Sequence, residues 1–233
     1  MSAKPQEKAP KTQAGDRVVE ASFFAGAKSA AQYPPPALSE IAFVGRSNVG
    51  KSSLMNRLTE RQSLVRTSST PGCTRQISWF RTVSDDKAVI DLVDLPGYGY
   101  AKRSKSERKE WASLIDSYLL ERPTLRAAVL LIDIRRGTED DDLELIQMLE
   151  DEPRVSRAPL GIICVATKMD KLPLNQHKPT LLGLQQKLGR PLLGFSAVSG
   201  LGRVPLWRKI RELAGIGAFE DLTVVPTREG DGV

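Results

Sequence analysis

The residues Gly45-x-x-x-x-Gly50-Lys51-Ser52 stand directly behind the apolar run "IAFVG". A glycine-rich turn between a strand and a helix can aim successive backbone N–H groups at one anion, and the helix dipole adds positive potential there. A lysine at this spacing reaches the β- and γ-phosphates of a nucleotide, and the serine hydroxyl can ligate Mg²⁺. The plain alternative is a glycine-rich turn that happens to hold a lysine. A strand pattern before it and a helix pattern after it favour the phosphate loop.

A second metal anchor should be a carboxylate at the end of a neighbouring strand. "DLVDLPG" supplies Asp94, with Pro96 and Gly97 ending the strand. Asp94 would hold the ion through a water, and the Gly97 N–H could meet a γ-phosphate. Asp91, three residues earlier, falls on the other strand face, where a paired or solvated role suits it better.

These features serve adenine and guanine nucleotides alike. "ATKMDKL" separates them, because it follows the apolar run "GIICVA" and so lands at the carboxyl end of the sheet. Asp170 can accept two parallel hydrogen bonds, from N1–H and the 2-amino group of guanine. Adenine offers neither, which would leave the carboxylate unpaired at a cost of about 1–3 kcal/mol. The Lys168 stem can cover the base plane, Thr167 opens the motif, and the Ala197 N–H in "FSAVSG" could donate to the guanine O6.

Between the phosphate loop and "DLPG" lies "RTSSTPGCTRQ", polar and containing Pro-Gly, which reads as a loop. A hydrolytic switch needs one threonine there that reaches Mg²⁺ only when the third phosphate is bound. Thr74 is the first choice, with Thr67 and Thr70 behind it.

The elements that must position these loops follow from hydrophobic periodicity. "IAFVG", "ISWFRTV", "AVIDLVDL", "AAVLLIDI", "GIICVATK" and "PLLGFSA" read as strands. Between them "KSSLMNRLTE", "SERKEWASLIDSYLLER", "EDDDLELIQMLEDE", "NQHKPTLLGLQQKL" and "GRVPLWRKIRELAG" carry helical spacing. Continuous apolar strands alternating with amphipathic helices predict an α/β fold with a mainly parallel sheet covered on both faces. Residues 1–37, ending in "YPPPALSE", read as a flexible tail with one short helix around "VVEASFFAGAKSAAQ". Residues 38–216 form the domain and 217–233 a second flexible tail.

Composition limits the remaining choices. The chain has 233 residues, is 40% hydrophobic and 27% charged, and carries a formal net charge of +6. Its apolar runs are far shorter than the ~20 residues a membrane helix needs, and the polar N-terminus is not a secretory leader. Two cysteines, Cys73 and Cys164, rule out a disulfide framework and point to the cytoplasm. A basic balance favours a phosphate-rich partner such as RNA. Arg57, Arg61, Arg66, Arg75 and Arg81, with Lys102, Arg103, Lys105, Arg108 and Lys109 after "DLPG", concentrate that charge beside the phosphate sensor. The acids Glu139 to Asp142, with Glu144, need no more than a helix start to explain them. His177 receives no chemistry, and Trp79, Trp111 and Trp207 read as packing residues.

Taken together, "GRSNVGKSSLMNRL", "TPGCTR", "DLPGYGYAK", "TKMDKL" and "FSAVSG" resemble the EngB (YsxC/YihA) family of bacterial GTP-binding proteins over roughly residues 20–215. "DLPGYGYAK" is the most specific part. The resemblance implies a P-loop GTPase fold with a mixed six-stranded sheet, a monomer, GTP or GDP as ligand, and Mg²⁺ held by Ser52 and Thr74. It also implies work on a precursor of the large ribosomal subunit and its RNA, with a link to cell division and septum formation. Nucleotide contacts carried over are Gly45, Arg46, Ser47, Asn48, Val49, Gly50, Lys51 and Ser52, then Gly72, Cys73, Thr74, Arg75 and Gln76. Asp94, Leu95, Pro96 and Gly97 follow, then Thr167, Lys168, Met169 and Asp170, and last Phe195, Ser196 and Ala197. The switch departs from the family pattern: Cys73 replaces a basic residue and Arg75 stands where glutamine is usual.

Lys51, Thr74 and Asn48 are the candidates for catalysis. Asn48 resembles an asparagine that related GTPases use to hold K⁺; a turn-stabilising role is its alternative. Tyr98 takes the place of the glutamine that orients water in signalling GTPases, which predicts slow hydrolysis. A nucleotide-gated ribosome-binding module with negligible hydrolysis is one alternative. A P-loop ATPase or nucleotide kinase is another, opposed by "TKMD" and by the absence of a lid segment.

Overall fold

The computed structural model describes residues 12–65, 76–98, 114–151 and 159–216. Seven strands form one sheet: β1 (Val18–Ala27), β2 (Glu40–Gly45), β3 (Ile77–Ser84), β4 (Val89–Asp94), β5 (Leu125–Asp133), β6 (Gly161–Thr167) and β7 (Leu192–Gly194). Their order is β1-β3-β4-β2-β5-β6-β7. β1 and β4 run antiparallel to β3, and the rest of the sheet is parallel. Every residue of β2 is buried, as befits a strand whose two neighbours and two covering helix layers leave it no solvent.

The helices are α1 (Lys51–Leu58), α2 (helical over residues 114–121), α3 (Asp140–Asp151), α4 (Leu174–Leu188) and α5 (Arg203–Leu213). Leu54, Met55 and Leu58 of α1 join Leu206, Trp207 and Ile210 of α5 in a core on one face of the sheet. Ile115, Tyr118 and Leu119 of α2, with Ile146 and Leu149 of α3, close the other face, where α4 also packs. The α/β reading holds; the sheet has seven strands where six were expected. Trp79 and Trp207 are fully buried, in keeping with packing roles, and Trp111 lies outside the described residues.

The seventh strand corrects the reading of the N-terminus. "VVEASFFAGA" is not helical but a ten-residue edge strand. Its β-branched and aromatic residues suit the open side of β3 better than a helix, and Phe23 meets Phe80 edge-on at 5.7 Å. Only Ala30–Gln32 turns, as a single 3₁₀ turn. The segment before β1 is docked as well. Asp16 pairs with Arg208 through two hydrogen bonds of 2.7 and 2.6 Å, and Trp207 Nε1 donates to the Gly15 carbonyl at 2.8 Å. The folded domain therefore starts well before residue 38.

Below the sheet, at the end opposite the glycine-rich loop, Glu40 gathers α2 and β3. Its carboxylate accepts from Arg122, Tyr118 (2.7 Å), Trp79 Nε1 (3.1 Å) and Thr124 (2.7 Å). The charge is buried, so every lone pair needs such a donor.

Candidate functional site

Three loops converge at the carboxyl ends of β2, β4 and β6. The first leaves β2 at Gly45 and enters α1 at Lys51. Gly50, which caps α1, has φ +105°, a left-handed backbone that suits glycine alone. The first turn of α1 leaves N–H groups without intrahelical partners, facing the loop. Lys51 is nearly buried, and its ammonium pairs with the buried Asp94 at the end of β4. The sequence placed these two side chains at one site, and the fold brings them into contact.

The second loop follows β4. Leu95 N–H donates to the Phe43 carbonyl at 3.1 Å, continuing the sheet for one more residue. Gly97 lies so close to the first loop that a Cβ there would sit 3.1 Å from the Ser47 nitrogen and 3.2 Å from the Gly45 oxygen. Tyr98 exchanges backbone hydrogen bonds with the same loop: its N–H donates to Gly45 (3.3 Å), and its carbonyl accepts from Ser47 (3.0 Å).

The third loop follows β6. Thr167 Oγ1 donates to the Val49 carbonyl at 2.6 Å, and Lys168 Nζ donates to the Asn48 carbonyl at 2.6 Å. These two bonds fasten the third loop to the first. Lys168 also pairs with Asp133 at 2.9 Å, at the end of β5. Burial would raise the Asp133 pKa, but the donors Arg135 and Lys168 outweigh it and hold the carboxyl well below its usual value. Asp170 is fixed by the Ser196 hydroxyl at 2.7 Å, which lowers its pKa and keeps it charged. The loop bearing Ser196 is itself locked, since Phe195 N–H donates to Ala166 and Phe195 O accepts from Met169.

Most of the predicted site residues therefore meet, though not all in the roles expected. Val49, Leu95, Met169 and Phe195 bury their side chains, so only their backbones face the loops. Ser196 spends its hydroxyl on Asp170 and on the Ser199 N–H. Arg46 turns toward Glu139 and Asp141 at the start of α3. Asp91 is paired with Arg81 by two bonds of 2.9 Å, as its strand face suggested. Gln76 lies against Gly26 of β1. Gly72, Cys73, Thr74 and Arg75 lie outside the described residues, as do Thr67, Thr70, Arg66 and the basic run 102–109. Of the arginines read as an RNA surface, Arg81 is taken by Asp91 and lies over the Phe24 ring, while Arg61 donates to the Val19 carbonyl.

Two participants escaped the sequence reading. Asp133 carried a legible signal, since it ends an apolar strand as Asp94 does. Asp142, which accepts the Tyr98 hydroxyl at 2.5 Å, hid among the acids of a helix start.

Known proteins resemble this chain in sequence and fold. Residues 40–168 match the family described as "50S ribosome-binding GTPase". A "Probable GTP-binding protein EngB" of Pelobacter propionicus is 43% identical over 198 residues, covering 84% of this chain and 94% of that protein. Its counterpart in Geobacter metallireducens is 40% identical over 207 residues, covering 88% and 97%. Among solved structures, a probable GTP-binding protein EngB superposes with a TM-score of 0.58 at 25% identity, covering 76% of this chain and 99% of that one. Aquifex aeolicus Era, bound to GDP and AlF₄⁻, shares the fold at a TM-score of 0.61 and 24% identity, over 76% of this chain and 56% of its own.

Proposed function

The chain belongs to the EngB family of GTP-binding proteins and is a GTP hydrolase, and we propose that it acts as a slow GTP switch in assembling the large ribosomal subunit. The observation that carries the nucleotide part is the fastening of the Asp170 loop to the phosphate loop through Thr167 and Lys168. One ligand with a guanine at one end and phosphates at the other spans two loops that are already a unit. For these two loops the relative placement is already set before binding.

In this reading Asp170, held charged by Ser196, accepts the two guanine donors. Lys168 covers the base while its ammonium stays between Asn48 and Asp133. Lys51 exchanges Asp94 for the β- and γ-phosphates, and the N–H groups at the start of α1 hold the phosphate oxygens. Gly45 to Ser52, Asp94 to Gly97, and Thr167 to Asp170 are the nucleotide-binding residues, with Gly72 to Gln76 and Phe195 to Ala197 adding contacts.

The donor set fits Mg²⁺. Ser52 and Asp94 offer hard oxygens, and among the described residues no group of three or more His, Cys, Asp or Glu could cage an ion unaided. Mg²⁺ is commonly held that way, by one or two protein oxygens with phosphates and water completing the shell. When bound, it would neutralise charge developing on the phosphates. Ser52, Asp94 and Thr74 would hold it.

No observation on Asn48 calls for K⁺. Asn48 has φ +64°, a left-handed backbone that asparagine tolerates well, so conformation alone accounts for the residue. Equal single-turnover rates in KCl and NaCl would remove the ion from the mechanism.

The ribosomal part rests on the matched family's description and on the net charge of +6. No helix among the described residues is long and apolar enough to cross a membrane; we place the protein in the cytoplasm, as a monomer, with the family's link to septum formation. Calorimetry with GDP and ADP tests the nucleotide site: GDP should bind at least tenfold tighter, and Asp170→Asn should abolish the preference. Sedimentation with large-subunit precursors tests the partner: GTP-loaded protein should co-migrate and GDP-loaded protein should not. Co-migration that ignores the nucleotide would refute the switch.

A further inference from the structure

The residue after Gly97 is a tyrosine whose ring packs against the apolar core on the α2–α3 face of the sheet. Its hydroxyl donates to Asp142 Oδ1 at 2.5 Å. Asp142 is 1% exposed, and its other oxygen accepts the Glu139 N–H at 3.0 Å. The carboxylate is thus built into the first turn of α3 with one oxygen reserved for Tyr98. The same turn, through Glu139 and Asp141, also holds Arg46 of the phosphate loop.

Leu95-Pro96-Gly97 is therefore pinned at both ends. Asp94 ends β4 on one side. On the other, Tyr98 is held by its N–H to Gly45, its carbonyl from Ser47 and its hydroxyl to Asp142. Proline narrows the conformations in between. Gly97 lies so close to the backbone of Ser47 and Gly45 that a Cβ there would make tight contacts of 3.1–3.2 Å. A segment this constrained is preorganised, and a ligand that uses it is spared the cost of ordering it.

We propose that Tyr98 is a positioning residue, and that its bond to the buried Asp142 holds Gly97 where a nucleotide's third phosphate can use it, so that the Tyr98–Asp142 pair sets how the affinity for GTP compares with that for GDP. Tyr98 thereby does something other than orient water. The pair refers both the phosphate loop and the phosphate sensor to one rigid helix end. The proposal rests on the GTP-binding reading. A ligand shifts a conformational equilibrium only through its differential affinity, and GDP, lacking the third phosphate, draws little from Gly97.

The test is Tyr98→Phe, which keeps the ring and removes the hydroxyl. GDP and the non-hydrolysable GDPNP are titrated by calorimetry, and unfolding is followed without nucleotide. GDPNP should bind about fivefold to tenfold more weakly, the equivalent of one net hydrogen bond, with GDP changed less than twofold. Asp142→Asn, left with one acceptor oxygen for both the Tyr98 hydroxyl and the Glu139 N–H, should lower the GDPNP-to-GDP affinity ratio in the same direction. The double variant should be no worse than Tyr98→Phe alone. An unchanged GDPNP-to-GDP ratio overturns the proposal, even if the melting temperature falls, as does an equal weakening of both ligands, which would mark a packing role. Failure of the unmodified protein to bind GDP would instead remove the nucleotide reading, and this proposal with it.

Discussion

Single side chains in this protein act mostly by what they hold still. Thr167 and Lys168 do so with two carbonyls of the phosphate loop, and Ser196 does so with Asp170. Asp133 belongs with them: without its charge, Lys168 and Arg135 would lose the carboxylate that they share. Asp133→Asn should therefore speed GDP release about tenfold in a stopped-flow chase, while Asp170 preserves the choice of guanine. Glu40 illustrates the same logic away from the site. Arg122, Tyr118, Trp79 and Thr124 all donate to it in a buried setting. Glu40→Ala would leave the Arg122 guanidinium buried and unpaired, so urea denaturation should show a loss of about 3–5 kcal/mol. Cys164, by contrast, is inert. It is 1% exposed, and burial pushes its thiol up to about 11, so it should resist thiol reagents until the chain unfolds.

At the scale of elements, β1 and the residues before it matter most, because they turn an expected tail into part of the sheet. The Arg208 guanidinium beside Asp16 holds that carboxyl below its ordinary value of 3.8. A depressed folded pKa means that the unfolded chain takes up the proton first as pH falls. The stabilisation is therefore complete above 3.8 and fades below it, through the lowered folded value. Urea midpoints measured from pH 6 to pH 3 should show Asp16→Asn less stable than the parent at the upper end, with the gap closing toward the lower end. Asp86, held low by Arg211 against its burial, should add to the same acid limb. Removing residues 1–27 exposes the β3 edge and Phe80, and should make the domain aggregate where the full chain does not, as light scattering would show.

At the scale of the whole molecule, ligand binding and net charge give the measurable consequences. GDP at one hundred times its dissociation constant should stabilise the fold by about 2.7 kcal/mol and raise the melting temperature by about 5–10 °C, while ADP at the same concentration should not. If RNA is the partner, its affinity should fall steeply between low and moderate salt, and a flat response would exclude a phosphate-led contact. The sequence by itself determined the α/β class and where the three loops fall, because these depend on local matters: apolar periodicity, glycine placement, and a lysine or carboxylate at fixed spacing after a strand. It also carried enough of the family's pattern to imply guanine nucleotides. The tertiary structure alone decided that "VVEASFFAGA" is a strand, since an alanine-rich segment with β-branched residues takes its conformation from the open edge of β3, whose paired residues lie 50 to 66 positions away. It alone paired Tyr98 with Asp142, 44 positions apart, and Lys168 with Asp133, 35 apart. Long-range pairing depends on which strand ends and helix ends the topology brings together, and spacing along a chain carries no record of that.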